Sequence, residues 1–424
     1  MFRIKLKAGA LQFTLFISIV IALLLIAFIL LVQTHKRFTI QTDFIKESIN
    51  NSNKGITYAL SNTIKLNDTT TVNLKDEDYK SLKVYRDFWG VFEKITSTSK
   101  IKTNTYKKVA LLGASQPSLN RTALHLQDNN RPLVVVGNTK IEGLSYLPKT
   151  GVKSGSISGQ SYYGTQLIYG STRETLNFPQ LNKELLLSIK TINTLISKTP
   201  QNLYINLEVG QQYTNSFLEP VQVVFNPSTI RLNNTSISGH IIIKSKTKII
   251  VDNTSHLKDV ILIAPKIEIK QNVKGNFQAI ATEEISVQKN CVLNYPSALV
   301  VLKKENIKNS ATNNKNIIPL KVNTNSTVKG AVIYFDLEQK NNYNIQLSIA
   351  DDTTVYGEIY CNDNLELDGS VYGTVYTNNF TTKKAGSIYQ NHIYNGQIIV
   401  DSLNSNYIGL AFKNSKKGIL QWLY

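Results

Sequence analysis

Residues Val355–Tyr376, VYGEIYCNDNLELDGSVYGTVY, say nearly the same thing twice. Val355-Tyr356-Gly357-Glu358-Ile359-Tyr360 returns sixteen residues later as Val371-Tyr372-Gly373-Thr374-Val375-Tyr376. The same phrase, branched–x–Gly–x–apolar, occurs at Ile237–Ile241, Val273–Phe277 and Val328–Val332. A further echo sets Ala264 against Ala281 and Ile267–Ile269 against Ile285–Val287. Offsets of about sixteen to eighteen residues are too short for a helical repeat or a propeller blade. They suit one coil of a parallel β-helix, built of short strands joined at corners. Side chains alternate inward and outward, and equivalent residues stack about 4.8 Å apart on the next coil. The glycine is read as the corner, because glycine reaches positive φ without steric cost.

The fold class expected is therefore mainly β, a parallel β-helix (solenoid) body over 132–400. An antiparallel sandwich is the rival, disfavoured because two-residue hairpin signals are scarce. One helix interrupts the body around 171–200, where Leu181, Leu185, Ile189, Ile192 and Ile196 recur at helical spacing after Pro179. Asn/Lys-rich stretches at 303–327 and 336–346 read as loops pushed out at corners. Residues 401–424 read as two apolar strands forming a C-terminal cap. Cys291 and Cys361 are expected several coils apart, too far to form a disulfide.

Ahead of the body, Ala10–Val32 carries no charged residue, and about 20 apolar residues span a bilayer. A transmembrane helix is expected over 10–33, behind a basic leader at 1–9. Arg3, Lys5 and Lys7 before it nearly balance His35, Lys36 and Arg37 after it, so the positive-inside rule leans only towards a cytoplasmic N-terminus. A membrane-proximal helix and small α+β region follow over 34–131. HKRFTIQTDFIKESINNS continues the helix until Gly55 weakens it, and SLKVYRDFWGVFEKI and YKKVALLGA read as strands.

The basic leader, the glycine and the unbroken apolar helix together resemble the N-termini of minor type IV pilins and type II secretion pseudopilins. The resemblance implies peptidase processing between Gly9 and Ala10. The fifth residue after that bond is Thr14 where most such proteins carry Glu, a departure that points to tip-type members. The body resembles bactofilin-like and other parallel β-helix proteins, in architecture rather than in motif.

Of the chemistry that β-helices host, little is written here. A hydrolase of glycans needs paired carboxylates, and the one adjacent Asp pair, Asp351-Asp352, reads as a solvated turn. The five histidines show no zinc spacing; His240 and His256 could stack one coil apart, as a polar ladder or as a metal pair. No cofactor or metal site is expected. The formal charge of +18, from 47 basic and 29 acidic side chains, favours anionic neighbours. Lys244, Lys246 and Lys248 alternate along a predicted strand and would project from one side, as a solvated face or as a patch for anionic polysaccharide. Nucleic acid is disfavoured because no aromatics interleave with the lysines.

The reading is a non-enzymatic, membrane-anchored extracytoplasmic structural or interaction protein, a minor pilin-like or pseudopilin-like component of a pilus- or secretion-type envelope machine with protein partners there. Two alternatives remain open: a membrane-tethered polysaccharide-active enzyme, and a basic adhesin for anionic glycan or DNA.

Overall fold

The computed structural model describes residues 9–74, 79–117, 120–303, 317–338, 342–413 and 415–423. The first eight leader residues lie outside the described residues, as do 304–316 and 339–341 of the expected corner loops. The chain is mainly β with one long apolar helix at its N-terminus. It divides into two compact units.

The first unit comprises Met1–Tyr58, Thr70–Val84 and Ser97–Lys108. Helix α1, Gly9–Ser61, is 53 residues long, about 80 Å at 1.5 Å per residue. It is long and apolar enough to cross a membrane. Its later part buries a stripe at helical spacing, Ser48, Asn51, Ser52, Gly55 and Ile56, against the sheet residues of the unit. The weakening expected from sequence at Gly55 does not occur, and the helix runs on to Ser61. A Cβ there would overlap the Ser97 hydroxyl and touch Val84 at 3.1 Å, so this glycine lets helix and sheet approach closely. Glu47 pairs with Lys80 at 2.6 Å, and Lys108 donates to Asn53 Oδ1 at 2.5 Å. The Lys102 ammonium lies 5.0 Å from the Phe44 ring centroid and 5.3 Å from that of Tyr79.

Strands β1 (Asp68–Val72), β2 (Lys80–Trp89), β3 (Phe92–Ile101) and β4 (Asn104–Ser115) pair in that order and have residues in both units. Two-residue turns join β2 to β3 and β3 to β4. Each opens on a residue with positive φ, Gly90 at 63° and Lys102 at 52°, as such tight reversals require.

The second unit comprises Ala59–Thr69, Tyr85–Thr96 and Val109–Tyr424. Its main sheet closes on itself and is built from parallel pairs except where Ser387–Gln390 folds back antiparallel on Ser370–Lys384. His256–Ile269, Lys274–Val287, Val292–Lys303, Thr327–Asp336, Thr354–Leu367 and Ser370–Lys384 pair each with the next. The echoes in the sequence are the register. Val355 faces Val371, Gly357 faces Gly373 and Tyr360 faces Tyr376; Ala264 faces Ala281 and Ile267 faces Ile285. Parallel pairing removes the antiparallel sandwich for this body. The inner face holds a continuous apolar core that includes Ile237, Leu257, Phe277, Leu299, Val332, Ile359 and Val375.

Of the glycines of the repeat, Gly239 ends Ser236–Gly239 at φ 89° just before Ile241–Ser245, a corner as expected, whereas three others are placed differently. Gly330, Gly357 and Gly373 sit inside long strands at φ of 139°, 142° and 151°. A Cβ on Gly373 would overlap the carbonyl oxygen of Gly357; one on Gly357 would overlap that of Gly330; one on Gly330 that of Ser297. The column exists because consecutive backbones nearly touch there. The tight turns fall a few residues earlier, on Asn272, Asn290, Asn325 and Asp352, with φ of 64°, 61°, 56° and 54°. Asparagine and aspartate tolerate this left-handed conformation better than other side chains. Each is followed by a buried Val273, Cys291, Ser326 or Thr353. Ladder bonds then rise from turn to turn: Val292 N–H to the Val273 carbonyl at 2.9 Å, Thr327 to Cys291 at 2.7 Å, Thr354 to Ser326 at 2.8 Å. Cys291 thus fills a column position, and both Cys291 and Cys361 are buried free thiols.

Stacking does not follow chain order from end to end. Ser370–Lys384 pairs with Thr122–Leu126, which pairs with Leu144–Leu147, which pairs with Thr172–Glu174. The segment 122–174 therefore lies beyond the last repeat, and the chain returns to the other end of the ladder at Gln212–Asn215. Helix α2, Lys183–Ser197, belongs to that return. Its Leu185, Ile189 and Ile196 share an outer core with Ile242, Ile261, Ile280, Val300 and Ile333. The C-terminal segment, expected as a cap, instead pairs antiparallel with β4 through Ile408–Gly409 and Lys417–Leu423. Polar side chains pin this outer layer. Gln278 accepts from Val91 N–H at 2.9 Å and donates to the Trp89 carbonyl at 3.0 Å, while Glu358 accepts from Leu410 N–H and from Gln116, each at 2.5 Å.

Candidate functional site

Gly9 and Ala10 begin α1 and are exposed. Thr14 turns its hydroxyl back to the Leu11 carbonyl at 3.0 Å, the local bond that hydroxyl side chains make within a helix.

The three lysines do not share one strand. Lys244 lies in Ile241–Ser245 and Lys248 starts Lys248–Val251, with Lys246 and Thr247 in the turn between them. Ser245 Oγ makes that turn, accepting the N–H groups of Thr247 at 3.0 Å and Lys248 at 3.1 Å. Lys248 is held by Glu268 at 2.6 Å. Burial pushes the Glu268 carboxyl up, but Lys248 and Lys270 outweigh it and keep it below the usual range. Lys244 and Lys246 instead lie 5.9 and 5.8 Å from the exposed Phe225 ring. The alternation read from sequence assumed an unbroken strand, and the serine-made turn breaks it.

His240 and His256 do not stack either, because His256 faces Ser236 in the register. Asp351 and Asp352 lie exposed on a turn. Among the described residues no group of three His, Cys, Asp or Glu is arranged to hold a metal ion.

The groups that do converge are Asp87, Lys94 and His240. Their positions follow from the short turn at Gly90-Val91, which sets Asp87 of β2 opposite Lys94 of β3. Lys94 Nζ lies 3.1 Å from Asp87 Oδ2 and 3.1 Å from His240 Nε2. His240 Nδ1 lies 2.8 Å from the Glu219 carbonyl, so Nδ1 carries the proton and Nε2 accepts from the lysine. Burial first, and the Lys94 charge second, lower the imidazole to about 3. Burial raises the Asp87 carboxyl, against the pull of Lys94. Asp87 Oδ1 is buried with no hydrogen-bond partner. The His240 ring is packed by Trp89 at 4.7 Å and Phe217 at 4.9 Å between centroids, and Trp89 Nε1 donates to the Asp259 carbonyl at 3.0 Å.

Asp87, Trp89, Lys94 and His240 line a cleft of about 480 Å³, walled by Leu187, Ile192, Val221, Ile242 and Ile261, with Tyr85, Ser188, Thr191 and Lys198 also lining it. Arg86, on the same hairpin, is buried and ties down one wall. It bonds Glu93 at 2.7 Å, Glu184 in the first turn of α2 at 2.6 Å and the Ile64 carbonyl at 2.9 Å. In the cleft both imidazole nitrogens are engaged and no serine, cysteine or threonine hydroxyl is bonded to them. The arrangement offers hydrogen bonds and charge, without the nucleophile–base contact that covalent catalysis uses.

Asp87 and Lys94 were not singled out from sequence, where SLKVYRDFWGVFEKI reads only as strand. The available signal was an opposite-charge pair placed symmetrically about Trp89-Gly90-Val91-Phe92. His240 could not be assigned, since its partners come from residues far away in the chain. No family model, curated protein or solved structure matches this chain.

Proposed function

We propose that this chain is a non-enzymatic, single-pass membrane-anchored protein of the cell envelope, a minor pilin-like or pseudopilin-like subunit whose body is a parallel β-helix outside the cytoplasm. The observation that carries the reading is the form of α1. A helix of 53 residues opens at Gly9, stays exposed through its apolar part, and buries a narrow stripe of small residues against sheet in its later part. That design divides one helix between membrane or subunit contact and a folded headgroup, which is how pilin-like subunits use theirs. The β-helix reading is supported by parallel register at one-coil offsets and by columns of identical residues, such as Gly330–Gly357–Gly373. The non-enzymatic reading is supported by the committed hydrogen bonds of His240 and by Asp351 and Asp352 lying on an exposed turn.

The test is the mass of the mature N-terminus from membranes of the native host. A chain that starts at Ala10 is expected. An intact Met1, or a cut at any bond other than Gly9–Ala10, overturns the pilin-like part of the proposal.

A further inference from the structure

The cleft at Asp87, Lys94 and His240 has no role in a purely structural subunit, yet it is built at a cost. An ion pair and an imidazole are taken out of water, and one carboxylate oxygen is left unpaired. Buried polar atoms without partners are rare in native proteins and often mark a site. Asp87 Oδ1 has no side-chain partner and is closed off from solvent, while the side chain as a whole is 23% exposed and holds Lys94 through Oδ2. Beside it, Lys94 has three N–H donors, of which Asp87 and His240 take two. A partly exposed carboxylate next to a lysine with one further N–H fits hydroxyl groups, each of which both donates and accepts. Ser188 and Thr191, whose hydroxyl protons go to the Leu185 and Leu187 carbonyls, add acceptors, and half-buried Tyr85 adds an aromatic ring. Asp87 and Lys94 cancel in charge, so Lys198 leaves the cleft with one surplus positive charge.

We propose that this cleft binds a sugar acid, a polyhydroxylated ring that carries a carboxylate, either free or as one residue of an anionic glycan. Ring hydroxyls meet the Asp87 carboxylate and Lys94, and the carboxylate of the sugar faces Lys198. The apolar wall from α2 and the β-body covers the less polar face of the ring. This places glycan recognition on the β2–β3 hairpin and α2 rather than on the Lys244–Lys248 corner, where Lys248 is already committed to Glu268. The proposal does not depend on the pilin-like reading, since the N-terminal mass tests one and sugar binding tests the other.

Trp89 supplies the readout, as one of two tryptophans in the chain and part of the cleft lining. The full chain in detergent micelles is titrated with sodium D-glucuronate and with D-glucose, following tryptophan fluorescence. Saturable change with glucuronate is expected at millimolar concentrations or below, with weaker binding of glucose. Asp87→Asn is expected to weaken glucuronate at least about tenfold, the loss that follows from one charge-assisted hydrogen bond. Lys198→Ala, at the edge of the site and outside the buried ion pair, is expected to remove the preference for glucuronate over glucose. No saturable change with either sugar up to tens of millimolar overturns the proposal. So does a Lys198→Ala protein that melts like the parent and keeps the full preference.

Discussion

The glycine column and the asparagine column both recur with the repeat, and different physics fixes each. At Gly330, Gly357 and Gly373 the constraint is a neighbour, because each position for a Cβ is occupied by the carbonyl of the preceding strand. At Asn272, Asn290, Asn325 and Asp352 the constraint is local, a left-handed backbone that a short polar side chain accepts. The two columns also differ in what covers them. Beside the glycines sits the C-terminal segment, with Tyr407 Oη donating to the Gly330 carbonyl at 3.1 Å and Leu410 N–H donating to Glu358. The asparagines face solvent and bond one another, as Asn290 Nδ2 donates to Asn272 Oδ1 at 3.1 Å. A column enforced by contact tolerates one residue type; a column set by local conformation tolerates several.

Gly373→Ala gives the largest expected effect. Its added methyl meets backbone, which cannot rotate aside, at a φ that alanine avoids, so a loss of more than about 3 kcal/mol in unfolding free energy is expected. Gly386→Ala is the control. It also has positive φ, at 80°, but a Cβ there meets nothing within 4 Å, and a loss of only about 1–2 kcal/mol is expected. Equal losses in the two variants, measured by denaturant melts, would remove the distinction between contact and conformation.

The covering layer adds a pH dependence on the glycine side alone. Glu358 is fully buried with no cation against it, and burial raises its carboxyl from 4.5 to about 7, opposed by the bonds from Leu410 and Gln116. The folded state therefore holds the proton more tightly than the unfolded chain. This contribution is complete below pH 4.5 and is lost as pH rises to about 7, by about 3 kcal/mol at most. Glu358→Gln keeps an acceptor for Leu410 without the titration, so the difference between parent and variant stability should change over that window. A constant difference between pH 4.5 and 7 would show that Glu358 does not titrate as buried.

Asn290→Gly and Asn290→Ala probe the other column with a smaller expected effect. Glycine costs little at a left-handed turn, whereas alanine costs about 1 kcal/mol more. A reversed order would mean that the bond to Asn272, which both substitutions remove, outweighs backbone conformation. Smallest is Lys246→Ala, expected to shift stability by less than about 0.5 kcal/mol, as exposed substitutions do.

These differences explain what could be read from sequence. The glycine phrase was visible because contact allows only one residue, and its register followed directly. Its role as a corner holds at Gly239, between Ser236–Gly239 and Ile241–Ser245, but not at Gly330, Gly357 and Gly373, where the contact with the neighbouring strand is invisible in sequence. The asparagine corners were hidden by tolerance: valine, cysteine, serine or threonine follows them, and asparagine is common throughout the chain. The stripe of α2 was legible from periodicity, but its place on the return path depends on the segment 122–174 pairing with Ser370–Lys384, which no local pattern encodes. The buried stripe of α1 was missed because four of its residues, Ser48, Asn51, Ser52 and Gly55, are serine, asparagine and glycine, with Ile56 the one apolar side chain. The cleft was least legible, because Asp87 and Lys94 are close in the chain but His240 reaches them only through the fold.

The central claim is that the repeats lie side by side in parallel register, and a pair of cysteines tests it most directly. Tyr356 and Tyr372 are half-buried register partners with ring centroids 5.0 Å apart. Stacked strands hold such partners about 4.8 Å apart, inside the range a disulfide spans. Tyr356→Cys with Tyr372→Cys is expected to form an intramolecular disulfide in the folded protein under mild oxidation, while Tyr356→Cys with Tyr376→Cys remains reduced. A folded protein in which the first pair stays open, or the second closes equally well, would contradict the register.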